Sequence, residues 1–136
     1  MKFGSVPFIN SIGSSFLALD ADVSLWTTPE DMAKLLIELQ LSLLNQSNIV
    51  LAGEVVEEML TPVGGAVFNT ANEFYSLGFL IWKQGDEYSF GHGGVNAGFI
   101  SEMKAHKQSG EGYVVMTNGD NGYRVIREIV SLIEKE

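Results

Sequence analysis

Residues 90–99 read Phe-Gly-His-Gly-Gly-Val-Asn-Ala-Gly-Phe, with one imidazole, His92, set among four glycines. Glycine has no Cβ, so such a run either turns at positive φ or lets something approach the backbone closely. If Gly93 and Gly94 lie at a strand edge, a ligand can rest against the main chain there. A backbone N–H at that edge can then point into a developing oxyanion, as acyl transfer requires, with His92 supplying a polar or cationic group. The plainer reading is a connection between strands with a solvent-facing histidine. A phosphate cradle fits poorly. Gly91-x-Gly93 is followed by Asn96 where GxGxxG requires glycine, and a strand rather than a helix comes next.

Other reactive types are sparse. The chain has no cysteine and two histidines, His92 and His106, which leaves no metal site and no cofactor to expect. Ser101-Glu102-Met103-Lys104 matches Ser-x-x-Lys, a spacing that puts serine and lysine on one face of a helix. Here it falls in an alternating, strand-like segment, where residues three apart face opposite sides. Asp86 and Glu87 are the acids near His92 in sequence, and their spacing supports no triad. Asn96 reads either as a ligand contact or as a turn residue, and His106 as a surface residue.

The elements that must hold these residues follow from pattern. Thr28, Pro29, Glu30 and Asp31 make a helix start, and Met32, Leu35, Leu36, Leu39 and Leu43 recur at helical spacing. A shorter helix fits residues 52–60, ended by Pro62. Residues 63–72 read as loop, residues 73–83 as an aromatic strand, and residues 84–87 as a hairpin turn. "FISEMKAHK" alternates, and "YVVMT" is apolar on both faces, as in a central strand covered on both sides. Asn118-Gly119-Asp120 breaks that strand before a last helix, residues 122–135, with Asp120 or Asn121 as its cap. That helix is expected to bury Val125, Ile126, Ile129, Val130, Leu132 and Ile133. The order predicts one α+β domain over residues 1–136, an antiparallel sheet with helices packed on it, and irregular structure over residues 1–22.

Composition narrows the function classes. The chain is 46% hydrophobic and 18% charged with a formal net charge of −9, which fits a globular protein and supplies no basic stripe for nucleic acid. No segment reaches the apolar length of a membrane span. Gly4, Pro7, Asn10 and Gly13 interrupt any signal-peptide core, so the chain as given reads as cytoplasmic.

"GHGGVNAGF", followed by a strand, a turn, "YVVMTNGD" and a final helix, resembles the C-terminal part of the serine β-lactamase and penicillin-binding-protein superfamily. The likeness is to the class C-like branch, which also holds D-alanyl-D-alanine carboxypeptidases and esterases. "LWTTPEDMAKLLIELQ", "VEEMLTPV" and "YSLGFLIW" resemble that branch in the same order, so the likeness spans residues 23–135. Val23-Ser24 departs from it, standing where the branch carries a glycine pair. The resemblance implies a partial β-lactamase/transpeptidase-like fold. His92-Gly93-Gly94 would be its third catalytic motif, and the Val95 N–H its second oxyanion donor.

The same family requires a nucleophilic Ser-x-x-Lys on a helix and a Tyr-x-Asn or Ser-x-Asn motif, and neither is present here. The chain is therefore expected to be a C-terminal fragment or truncated relative of a β-lactamase-like serine hydrolase, inactive alone. Its acyl substrate (a β-lactam, a D-Ala-D-Ala peptide or an ester) would be bound only in a complete parent. The alternative is a stand-alone, non-catalytic binding or assembly domain on the same scaffold. An exposed sheet edge and apolar surface favour a homo-oligomer.

Overall fold

Helix α1, Pro29–Leu43, starts where the sequence places it. The Thr28 hydroxyl accepts from the Asp31 N–H at 3.1 Å, with Pro29 in the first turn. It ends in a Schellman arrangement. The Gln46 N–H donates to the Leu41 carbonyl and the Asn45 N–H to that of Ser42, with Asn45 at φ 56°. The computed structural model describes residues 25–67 and 70–134, so the irregular segment expected over residues 1–22, like Val23 and Ser24, lies outside the described residues.

Helix α2, Gly53–Met59, packs against α1, and Gly53 is needed because a Cβ there would strike the Ser42 carbonyl oxygen. Five strands follow: β1 Glu73–Tyr75, β2 Leu80–Gln84, β3 Glu87–Asn96, β4 Phe99–His106 and β5 Gly112–Thr117. Helix α3, Gly122–Ile133, closes the described chain. The sheet is antiparallel throughout, in the order β1-β2-β3-β4-β5. The expected α+β architecture is thus the one observed.

Alternation along the strands sorts the two faces. Phe79, Ile81, Phe90 and Ala105 meet Leu36 and Leu39 of α1 and Val56 and Leu60 of the α2 end, all of them buried. Gln40 crosses from α1 to the β4–β5 hairpin, where its buried amide donates to the carbonyls of His106 (2.9 Å) and Glu111 (3.1 Å). The other face carries α3, which rests on β4 and β5.

Four expectations change. The aromatic stretch 73–83 is two strands, because Ser76–Phe79 turn, with Gly78 at φ 86°. Strand β3 runs through the glycine segment to Asn96, and the turn itself is only Ala97-Gly98, Gly98 at φ 76°. Strand β5 is covered by helices on both faces but lies at the sheet edge among the described residues. Helix α3 buries Ile126 and half-buries Val130, while Val125, Ile129, Leu132 and Ile133 stay exposed. Among the described elements α3 rests on β4 and β5 alone, and only the part of its apolar stripe around Ile126 is covered by them.

Under α3, the Tyr113 hydroxyl donates to a Glu102 carboxylate oxygen at 2.7 Å. Burial pushes the phenol well above its ordinary value of 10.0, and the Glu102 contact adds to the rise. Below that value Tyr113 is protonated both folded and unfolded. Above it the unfolded chain releases the proton and the folded chain holds it, so stability falls as pH rises. Urea unfolding between neutral and alkaline pH should show this slope. Tyr113→Phe should flatten it while costing about 1 kcal/mol at neutral pH for the lost hydrogen bond.

Candidate functional site

Strand β3 outlasts its neighbour. Pairing with β2 ends at Leu80↔Gly91, whereas pairing with β4 continues to Asn96↔Phe99. From His92 onward one edge of β3 therefore runs past the end of β2. Register decides which groups face that edge. The Lys107 N–H donates to the Tyr88 carbonyl, and the two-residue turn closes on Asn96↔Phe99, so even-numbered residues of β3 bond to β4. Gly93 and Val95 then turn their N–H and C=O groups to an edge that is open among the described residues.

The glycines of this strand have different causes. A Cβ on Gly91 would lie inside the Met103 carbonyl oxygen and 2.9 Å from Lys104 Cα, so the β3–β4 backbones demand glycine there. At Gly93 the same atom would meet, among the described residues, only the Ser101 carbonyl oxygen, at 3.5 Å, an ordinary contact. At Gly94 it would meet the Ser101 hydroxyl, at 2.9 Å, a group free to rotate. Neither Gly93 nor Gly94 takes a positive φ. The described part of the fold does not require them.

His92 is half-buried, with its Nδ1 2.6 Å from the Gly93 carbonyl oxygen. A carbonyl can only accept, so Nδ1 carries the proton and Nε2 is the ring's remaining acceptor in the neutral form. The Tyr75 ring stands 6.5 Å from the imidazole, centroid to centroid. Val95 projects its side chain into solvent at 75% exposure. Asn96 acts in the turn, its Oδ1 accepting from the Ala97 N–H at 2.8 Å. The turn is tied down from outside, since the Gly98 N–H donates to Asp120 Oδ1 at 2.8 Å. Asp120 therefore spends its carboxylate on Gly98, and Asn121 occupies the α3 cap position without a side-chain bond. Beside the turn, Trp26 packs edge-on against Phe99 at 5.9 Å.

Several sequence candidates lie apart from this edge. Ser101 and Lys104 point to opposite faces of β4, and Lys104 pairs with Glu134 at 2.8 Å while lying over the Trp82 ring. They are no nucleophile–base pair. Glu87 is five residues along an extended strand from His92, roughly 17 Å away, and Asp86 is farther still. His106 is not a free surface group, because its Nδ1 is 2.9 Å from the hydroxyl of the buried Ser89. That pair and the approach of Tyr75 to His92 went unread in the sequence. Both are cross-strand relations that only the register supplies.

Among the described residues no three His, Cys, Asp or Glu side chains gather as a metal site. No described helix is long and apolar enough to cross a membrane. A depression of about 520 Å³ between residues 45–48 and 52–54 does not border the β3 edge.

No protein-family model and no curated protein sequence matches the chain. Among solved structures it is similar to D-amino acid amidase from Ochrobactrum anthropi SV3, a structure in complex with D-phenylalanine. The two share 24% identity at a TM-score of 0.57 over 81% of this chain, which establishes a common fold. The chain spans only 36% of the amidase's length.

Proposed function

We propose that this chain supplies the acyl-binding sheet edge of a β-lactamase-like serine hydrolase of the class C-like branch, and that the nucleophile belongs to a portion it lacks. The observation that carries this reading is the pair Gly93-Gly94 on an edge of β3 that no described strand covers, two glycines for which the described part of the fold has no need. Their bare backbone lets an acyl group lie along the strand at hydrogen-bonding distance. The Val95 N–H acts as one oxyanion donor, and His92 presents Nε2 beside the same edge. The fold shared with an amidase supports a hydrolase scaffold. Its substrates are acyl compounds such as β-lactams, D-aminoacyl amides or small esters.

The chain alone has no Ser-x-x-Lys on a helix, so no group is placed to attack the carbonyl. Incubation with a penicillin and with D-phenylalaninamide, followed by intact-mass spectrometry, should show no covalent adduct and no amide hydrolysis. A stoichiometric adduct on a serine of this chain would overturn the assignment of the nucleophile to another portion.

A further inference from the structure

Beyond Gly91, strand β3 pairs with β4 and with no other described strand. Gly93 and Gly94 add backbone freedom there, since neither has a Cβ to restrict it. The turn that closes the β3–β4 hairpin gives little help. A two-residue hairpin matches the twist of its strands when its first turn residue has positive φ, as in the primed turn types. Ala97, the first turn residue, does not. Asn45 is the only described residue other than glycine at positive φ, while Gly98, the second turn residue, stands at 76°. An unprimed turn of this kind splays its strands, so the hairpin needs a hold from outside.

The link between β5 and α3 supplies it. Thr117, the last residue of β5, donates its hydroxyl to the Ile100 carbonyl of β4 at 3.1 Å. Gly122 packs so closely on Thr117 that a Cβ would strike that side chain. The Gly122 N–H also donates to the Gly119 carbonyl at 2.9 Å. These contacts fix the backbone on both sides of Asp120 relative to β4. Its Oδ1 then accepts from the Gly98 N–H at 2.8 Å, while the Ala97 N–H is taken by Asn96 within the turn. Asn121 holds the α3 cap position, so the Asp120 carboxylate serves the hairpin and not the helix.

We propose that Asp120 is a positioning residue for the acyl-binding edge: through Gly98 its carboxylate fixes the β3–β4 turn, and with it the direction of the Val95 N–H earlier on the same hairpin. This role rests on the reading of Val95 as an oxyanion donor. Such a donor is effective only when it is held at hydrogen-bonding distance and angle before the charge develops. A tip free to swing loses that effect. The tie is charge-assisted, and so stronger than a neutral hydrogen bond at the same exposed turn. Acting through the backbone, Asp120 needs no contact with the substrate.

Amide hydrogen exchange and ¹⁵N relaxation on the 136-residue chain test this with Asp120→Ala, Asp120→Ser and Asp120→Asn. Asp120 is exposed, so the variants should keep the circular dichroism of the parent. In the Ala and Ser variants the Gly98 amide should exchange at least about tenfold faster. Order parameters of residues 95–98 should fall from about 0.85 toward about 0.6, with residues 87–91 unchanged. Asp120→Asn keeps an acceptor oxygen in place and should restore the order of residues 95–98. If those residues stayed as ordered in the Ala and Ser variants as in the parent, Asp120 would not position the edge. Failure of Asn to restore the order would overturn the proposed route through an accepted hydrogen bond. Loss of the fold in both the Ala and Ser variants would also overturn the proposal, assigning Asp120 to global stability. None of these readouts involves a substrate, so they can fail while the acyl-binding reading stands, and a serine adduct by mass spectrometry tests that reading separately.

Discussion

Gly91→Ala should destabilise the protein by about 3 kcal/mol, a loss set by backbone contact rather than by side-chain packing. The added methyl has nowhere to go, because the atoms it meets are the Met103 carbonyl and Lys104 Cα of β4. Relief requires the two central strands to part, which breaks pairs on both sides of Gly91. Alanine has the smaller unfolded-state entropy, worth less than about 1 kcal/mol in its favour, so the steric cost dominates. A urea titration should show the midpoint falling by roughly 2 M for a chain of this size. Gly93→Ala is the control. Its methyl finds an ordinary contact at 3.5 Å, and the midpoint should stay close to that of the parent. If both variants were equally stable, the close approach of β3 and β4 at Gly91 would be wrong.

Phe90→Ala should cost about 3–5 kcal/mol, a large share of the roughly 5–15 kcal/mol that holds a domain together. Phe90 is fully buried, meets the Phe79 ring edge-on at 5.7 Å, and sits between Ile81 and Ala105 on the neighbouring strands. Truncation opens a cavity where the two helices and the sheet converge. Phe90→Leu keeps most of that volume and should cost less than half as much. Thermal unfolding of the three proteins distinguishes these outcomes. Because His92 follows Phe90 by two residues on the same strand, the core residue also fixes where the imidazole stands.

Local signals were legible wherever a residue type has one conformational meaning. Thr28-Pro29 announced the first helix, and the alternation of "FISEMKAHK" announced β4. The turn at Ser76–Phe79 was hidden inside an apolar run, with Gly78 as its sole local mark. Strand β3 was obscured for the opposite reason: glycines usually end strands, and here Gly91 serves close backbone approach inside one. At the candidate site, His92, Gly93 and Gly94 could be singled out by type, and Val95 only through the family resemblance. Which of their backbone groups face the open edge depended on the lengths of β2 and β4, which no residue within the motif encodes. Asp120 illustrates the same limit. Its position suggested a helix cap, and a hairpin 22 residues earlier claims its carboxylate.

The strand order, in which every sheet neighbour is also a sequence neighbour, has a kinetic consequence. Each pairing closes a short loop, so little chain entropy is lost before contacts form, and a sheet of this kind assembles quickly for its class. Strand β3 belongs to two hairpins at once, one with β2 and one with β4. The hairpin with β2 lays the strand down only as far as Gly91, whereas the hairpin with β4 carries it through His92 and Gly93-Gly94 to Asn96. Among the described strands, the glycine segment beyond Gly91 thus has a single template during folding, β4, and its backbone is set only when that hairpin closes.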